Sequence, residues 1–445
     1  MIEHQPKRLT DIPGLGKALA ERITEAWEEQ RAVKDIMLFL QSKGLSRLRA
    51  DRIFEAYGAK AIEIVSANPY RLAQDIRGIG FTLADELASR LEIAKDSPFR
   101  LAAGLRHILE EAMGQGHVGL PRHWLLDRTA DLLQVEGLDP VLDGEIEGGR
   151  LILDKVENTD CLFLPEMHEA ETDIASALIE RAWQAPPWRI RDIESAVTSA
   201  EAALGLELAE EQREALRLAY KSRLLIITGG PGTGKTTLVK AILKGLERNQ
   251  LDIMLAAPTG RAARRLGESA ELEASTLHRL LEAEPGRGFR RDADRPLEGD
   301  LLVVDEMSMV DIPLMQALCN ALPEGAALFM VGDVDQLPSI GPGQVLLDLI
   351  QSGKLPVIRL EKIFRQAEES RIIQNAHRIN KGEMPDVSRS DDNLIDFYAI
   401  KAATPERAAE TLVELVAKRI PASFGSDPVA DIQILCPTNL SLIHI

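Results

Sequence analysis

The run Gly229-Gly230-Pro231-Gly232-Thr233-Gly234-Lys235-Thr236-Thr237 contains the spacing G-x-x-x-x-G-K-T. Glycines so placed let main-chain N–H groups wrap phosphate oxygens, the lysine reaches the β- and γ-phosphates, and the hydroxyl after it suits Mg²⁺. Gly230, Pro231, Gly232, Thr233, Gly234, Lys235, Thr236 and Thr237 are therefore expected to hold a nucleoside triphosphate. Further along, Leu301-Leu302-Val303-Val304 ends in Asp305 and Glu306. Asp305 is placed to hold Mg²⁺ with Thr236, directly or through water, and Glu306 to polarise an attacking water. Alone, such a pair is more often surface charge; together with the loop it reads as catalytic. In Gly332-Asp333-Val334-Asp335-Gln336-Leu337-Pro338 the glutamine can sense the γ-phosphate, where a plain strand-to-turn connection would explain only Gly332 and Pro338. Arg365, within Leu360 to Gln366, is a candidate arginine finger or a solvated ion pair. Gln212, shortly before the loop, can read the adenine edge.

These residues need strand ends to sit on. From about Leu204, short aliphatic runs (Leu224 to Thr228, Ile253 to Ala257, Leu301 to Val304, Ala327 to Val331) alternate with helical stretches. Near-continuous apolar strands between helices predict an α/β fold with a parallel sheet covered on both faces, its ligands at the carboxyl ends of the strands. Upstream, residues 1–95 read as short helices separated by glycine turns. Ile12-Pro13-Gly14-Leu15-Gly16, Lys43-Gly44-Leu45 and Ile76-Arg77-Gly78-Ile79-Gly80 each precede small and aliphatic residues at helical spacing. This array resembles the helix-hairpin-helix family, in which Gly14, Gly16, Gly78 and Gly80 would offer main-chain donors to DNA phosphates. The bland alternative is that the glycines only permit close helix packing, and the middle copy, with Ser46 in place of a second glycine, fits a structural role. Residues 96–203 read as a helical or winged-helix-like connector with one apolar strand-like stretch at Arg150 to Leu153.

Composition sets outer bounds. The 445 residues are 45% apolar and 27% charged, a soluble globular balance with room for several domains. No apolar run approaches the roughly 20 residues of a membrane span, and Met1 to Gly16 lacks the apolar core of a secretory signal. Cys161, Cys319 and Cys436 are scattered, which argues against a disulfide framework or zinc site and fits a cytoplasmic protein. The net charge of −18 neither supports nor excludes a nucleic-acid partner, since the first 60 residues hold 11 Lys/Arg against 9 Asp/Glu.

In their order, Leu208 to Gln212, GGPGTGKTT, APTGRAARRL, STLHRLL, VVDEMSMVD, FMVGDVDQLPSIGPG and LEKIFRQ resemble the motif series of superfamily 1 helicases, in detail the RecD/TraA branch. ANPYRLAQDIRGIGFTLADELA, beginning at Ala67, is similar to the stand-alone RecD-like helicases that act without RecB and RecC. The resemblance implies an N-terminal helix-hairpin-helix array (1–95), a connector (96–203), a first RecA-like P-loop domain (204–355) and part of a second (356–439). It implies an ATP- and Mg²⁺-dependent monomeric enzyme that moves 5′-to-3′ on single-stranded DNA and unwinds duplex DNA. Gln212 then contacts adenine, and Lys235, Thr236, Asp305, Glu306, Gln336 and Arg365 take the roles above. Thr259, Gly260 and Arg261, with Thr276 and His278, fall in strand-binding motifs, as hydroxyls, N–H groups and an arginine suit phosphates of any sequence. For Thr276 and His278, helix capping is the alternative. Residues 284–296 take the position of a strand-splitting hairpin, or are an ordinary loop.

Relative to that pattern, Met1 is expected to enter partway through the array, and Leu440 to Ile445 fits no family motif and reads as an artefactual tail. On that reading the chain binds ATP–Mg²⁺ but is weakly active or inactive. The rival readings are the RecD subunit of a helicase–nuclease complex and a nucleotide-gated DNA-binding protein without motor action. A conjugative relaxase–helicase would need a histidine cluster and a catalytic tyrosine that the sequence lacks.

Overall fold

The computed structural model describes residues 16–17, 22, 34, 36–362, 370–387 and 396–436. Gly14, Arg365 and the 440–445 tail lie outside them. The chain divides into two compact units, one of residues 1–229 and 235–360, the other of 230–234 and 361–445.

The first unit is built on a six-stranded sheet, ordered β11-β4-β10-β9-β5-β6 and parallel throughout. Its strands are β4 (Leu224–Gly229), β5 (Ile253–Ala257), β6 (Ala274–Thr276), β9 (Leu301–Val304), β10 (Ala327–Gly332) and β11 (Val357–Leu360). Because successive side chains point to opposite faces, one core receives Leu224, Ile226, Leu302, Val304, Leu328 and Met330. The other receives Leu225, Ile227, Leu301, Val303, Phe329 and Val331. Helices 210–219 and 235–246 fill the second core, and helices 165–182 and 312–321 the first.

Two placements differ from the expected domain limits. β11 pairs with β4, so the first sheet runs past 355 to Leu360. Helix Pro165–Ala182, expected in the connector, is a cover of the sheet, and Arg181 Nη1 donates to the Pro323 carbonyl at 3.0 Å and also to that of Ala326. The rest of the connector is a helix–strand–helix–helix–strand–strand module. In it β1 (Gly119–Pro121), β3 (Thr159–Phe163) and β2 (Ile152–Val156) pair antiparallel in that order, the arrangement of a winged helix. Its Leu105, Leu109, Leu162 and Leu164 join the same core as the sheet's first face.

Upstream, Ile36, Leu40, Ile53, Val65, Leu72, Ile79 and Leu87 form a separate core for the helical array. The middle glycine turn is locked from within. Arg90 Nη1 donates to the Lys43 carbonyl at 2.5 Å, Lys43 Nζ donates to the Arg90 carbonyl at 3.0 Å, and a Cβ on Gly44 (φ +84°) would collide with the Arg90 guanidinium.

In the second unit, helix Arg371–Asn380 carries the buried Asn375, whose amide donates to the Asp386 carbonyl at 3.0 Å and accepts from its N–H at 2.6 Å. Residues 433–436, the last that are described, form no strand. Leu435 is 83% exposed there, and among the described residues no strand lies beside it to complete a ladder.

Close approach shapes one strand end. A Cβ on Gly332 would stand 2.7 Å from Leu346 Cδ2 and 3.2 Å from the Met307 nitrogen. Gly332→Ala should therefore lower folding stability by about 1–3 kcal/mol through overpacking. A denaturant titration should show a lower midpoint at unchanged slope, and an unchanged midpoint would refute the steric account.

Candidate active site

β4, β10 and β9 are neighbours, with Thr228 opposite Gly332 and Met330 opposite Val304. This register brings Gly229, Asp333 and Asp305 to one end of the sheet. Asp305 continues β9, its N–H donating to the Ala256 carbonyl at 2.9 Å. Its Oδ1 accepts the Glu306 N–H at 2.9 Å. Glu306 has φ +55°, a left-handed conformation costing a non-glycine residue about 1–3 kcal/mol, of the sort concentrated at functional sites. Both carboxyls are half-buried. Burial pushes the Asp305 carboxyl up, opposed by the Glu306 N–H, Lys235 and Arg265. Burial and then the charge of Asp305 raise Glu306, opposed by Lys235, Arg265 and the Gln336 amide. Two acids held near two cations and an amide form one electrostatic cluster.

Lys235 opens helix Lys235–Leu246, and its Nζ donates to the Gly229 carbonyl at 2.5 Å. Thr236 is exposed and Thr237 half-buried. The preceding Gly230, Pro231, Gly232, Thr233 and Gly234 group with the second unit. There Gly232 (φ +78°) and Gly234 (φ +80°) adopt the left-handed backbone such a loop requires, and Thr233 Oγ1 donates to the Gly230 carbonyl at 2.9 Å.

Gln336 accepts from Ser308 Oγ at 3.1 Å, so the turn after β10 is tied to the turn after Glu306. Gln212 is buried, and its Oε1 accepts the Ala209 N–H at 3.2 Å. Its Nε2 has no hydrogen-bond partner among the described residues. A buried amide donor without a partner is costly, and a nucleobase acceptor would satisfy it. Thr228 Oγ1, at the end of β4, is orphaned in the same way.

The expected strand-binding residues lie along the ends of β5 and β6, where Ala257 opposes Thr276. Thr259 and Thr276 both cap helices, accepting the N–H of Ala262 and of Arg279, each at 3.2 Å. Capping and strand contact are compatible, because each hydroxyl still has its hydrogen to donate. Gly260 has open space where a Cβ would be, and Arg261 and His278 are exposed. Gly16, Gly78 and Gly80 are exposed too, and Gly80 caps helix Phe81–Arg90. The hairpin expected within 284–296 is a short antiparallel ribbon, β7 (Ala283–Glu284) and β8 (Gly288–Phe289), while 290–296 is loop. Sequence reasoning missed Arg265, Ser308 and Thr228. Arg265 lies one helical turn after Arg261, and that i, i+4 spacing was the available signal.

Among the described residues no cluster of three His, Cys, Asp or Glu could hold a metal. A cation here would rest on Thr236, Asp305 and the phosphates themselves, which suits Mg²⁺.

The family model for the ATP-dependent RecD2 DNA helicase HHH domain matches residues 29–119. An AAA domain model matches 212–342 and a SAM-like helix-hairpin-helix tandem 2–29. The ATP-dependent RecD2 DNA helicase of Deinococcus radiodurans is 36% identical over 397 residues, covering 86% of this chain and 54% of that protein. The RecBCD enzyme subunit RecD of Mycobacterium tuberculosis is 36% identical over 250 residues, 50% of this chain and 43% of that one. The chain thus spans about half the length of these curated relatives. A crystal structure of Pif1 helicase from Candida albicans aligns at a TM-score of 0.34 and 24% identity, covering 50% of this chain and 56% of that one.

Proposed function

We propose that the chain is a RecD2-type helicase, on its 36% identity to the RecD2 DNA helicase of Deinococcus radiodurans and the match of that family's helix-hairpin-helix model, and that it contains the ATP-hydrolysing half of a DNA motor. The observation that carries the reading is the convergence of Lys235, Asp305, Glu306 and Gln336 at the carboxyl ends of β4, β9 and β10. Gly230 to Gly234 and Lys235 wrap the triphosphate, with Pro231 shaping the turn and Thr237 backing the first helical turn. Thr236 and Asp305 hold Mg²⁺, which when bound neutralises phosphate charge. Gln212 gives its free amide hydrogen to adenine. Glu306 takes the proton of the attacking water, and Gln336 reports the state of the γ-phosphate through Ser308 to the turn beside it. Arg365 supplies the finger.

Thr259, Gly260, Arg261, Thr276 and His278 grip single-stranded DNA along β5 and β6, and Gly14, Gly16, Gly78 and Gly80 meet duplex phosphates. Movement is 5′-to-3′, with the β7–β8 ribbon at the point of strand separation. The protein acts in the cytoplasm as a monomer without RecB or RecC, a choice supported by the match over 29–119; among the described residues no helix is long and apolar enough to cross a membrane.

The test is ATP hydrolysis with and without single-stranded DNA, by this chain and by one spanning the full length of the relatives it matches. This chain should bind ATP with little DNA-stimulated turnover, and the longer one should be stimulated at least about tenfold, as a coupled motor requires. Equal hydrolysis by the longer chain in both conditions would sink the motor reading in favour of a nucleotide-gated DNA-binding protein.

A further inference from the structure

Two features far apart in sequence meet within the first unit. In the turn Ile76–Gly80 the isoleucines are buried at 6% and 3% exposure, while Arg77, Gly78 and Gly80 face outward. Arg52 Nη1 donates to the Arg77 carbonyl at 3.4 Å and lies 3.1 Å from the position of a Cβ on Gly78. Arg77 Nη1 in turn lies 3.7 Å from the position of a Cβ on Gly286, at the tip of the β7–β8 ribbon. The ribbon adds Arg287, whose side chain is 84% exposed. Beside the turn is an open hollow of about 630 Å³ lined by Arg52, Glu55, Asp75, Arg77 and Gly78. The Asp75 charge is already met by Tyr57 Oη at 2.8 Å and Arg71 Nη2 at 3.1 Å. Arg52 and Arg77 form no ion pair among the described residues. Glu55 beside the turn, and Glu284 on the ribbon, 3.9 Å from Arg287 Nη1 and 3.3 Å from Arg290 Nε, are the carboxylates that oppose an incoming anion.

We propose that the Ile76–Gly80 turn and the β7–β8 tip form one cationic ledge for the sugar–phosphate backbone of duplex DNA next to the point where strands part. Arg52, Arg77 and Arg287 meet successive phosphates, and Gly78, with φ +88°, leaves the main chain open to close approach. Neither the turn nor residues 284–288 carry an aromatic ring, so the ledge lacks the stacking platform that single strands use. Its guanidinium and main-chain donors fit a backbone read without sequence. The array is then part of the fork machinery, not a tether beside it. This rests on the helicase reading, which puts the ribbon at the fork.

The test is fluorescence anisotropy with a blunt duplex, a forked duplex and a single strand of the same sequence, at several salt concentrations. Arg77→Ala and Arg287→Ala should each weaken duplex and fork binding about fivefold and flatten the salt dependence by about 0.9 per lost phosphate contact. Single-strand affinity and binding of a fluorescent ATP analogue should not change, and Glu55→Gln should tighten duplex binding. Equal losses on single strand and duplex would overturn the ledge, as would a loss confined to Arg77→Ala. Failure of the motor reading looks different: no DNA-stimulated hydrolysis by the longer chain, with the duplex affinities still following this pattern.

Discussion

Lys235→Ala should reduce ATP hydrolysis about 1000-fold, roughly 4 kcal/mol of transition-state stabilisation, and weaken ATP binding at least about tenfold. Lys235 opens the helix after the loop, with its ammonium on the Gly229 carbonyl at 2.5 Å. It also acts on both Asp305 and Glu306 electrostatically. No hydroxyl or glycine nearby can replace a cation there. The same variant should leave duplex affinity unchanged, because the helical array has its own apolar core around Leu40, Ile53 and Leu72. Isothermal titration with an ATP analogue, set beside duplex binding by the same protein, separates the two. Equal loss of both would show that the array and the nucleotide site are not independent.

Glu306→Gln should also lower hydrolysis about 1000-fold, yet leave ATP affinity within about twofold. The amide keeps the shape and the contact with Gln336 but cannot take a proton from water. Stability should move the other way from activity. Burial and Asp305 raise the folded carboxyl above its unfolded value, so the folded state holds the proton more tightly. The ionised form therefore costs stability at neutral pH, and that cost fades as pH falls through the folded pKa. Removing the charge should leave the melting temperature at pH 7 unchanged or higher. A lower melting temperature, or retained turnover, would remove Glu306 from the role of base.

The strand ends that carry the candidate nucleotide site were legible because they follow uninterrupted apolar runs. β9 and β10 are buried at every position, and strands of that kind announce themselves. β6 and β11 did not. The first is three half-buried residues, and the second is an edge strand with an exposed Arg359; neither offers enough apolar length to stand out. The lock on the middle glycine turn comes from Arg90, 47 residues beyond Lys43, which no local pattern reveals. Gln212 was legible as a position but not as a buried amide with a spare hydrogen. Arg77 was visible only as a residue between glycines, because its neighbour at the ribbon tip is supplied by the fold.

Helix Pro165–Ala182 bears on how the protein can be taken apart. The strand–helix alternation begins near Leu204, and that is where a fragment carrying the nucleotide site would naturally be cut. Such a cut would strip the cover from Leu224, Ile226, Leu302, Val304, Leu328 and Met330, which share one core with the helix and with Leu105 and Leu162 of the winged module. A fragment carrying those strands has to keep helix Pro165–Ala182, and the winged module travels with it as part of its floor.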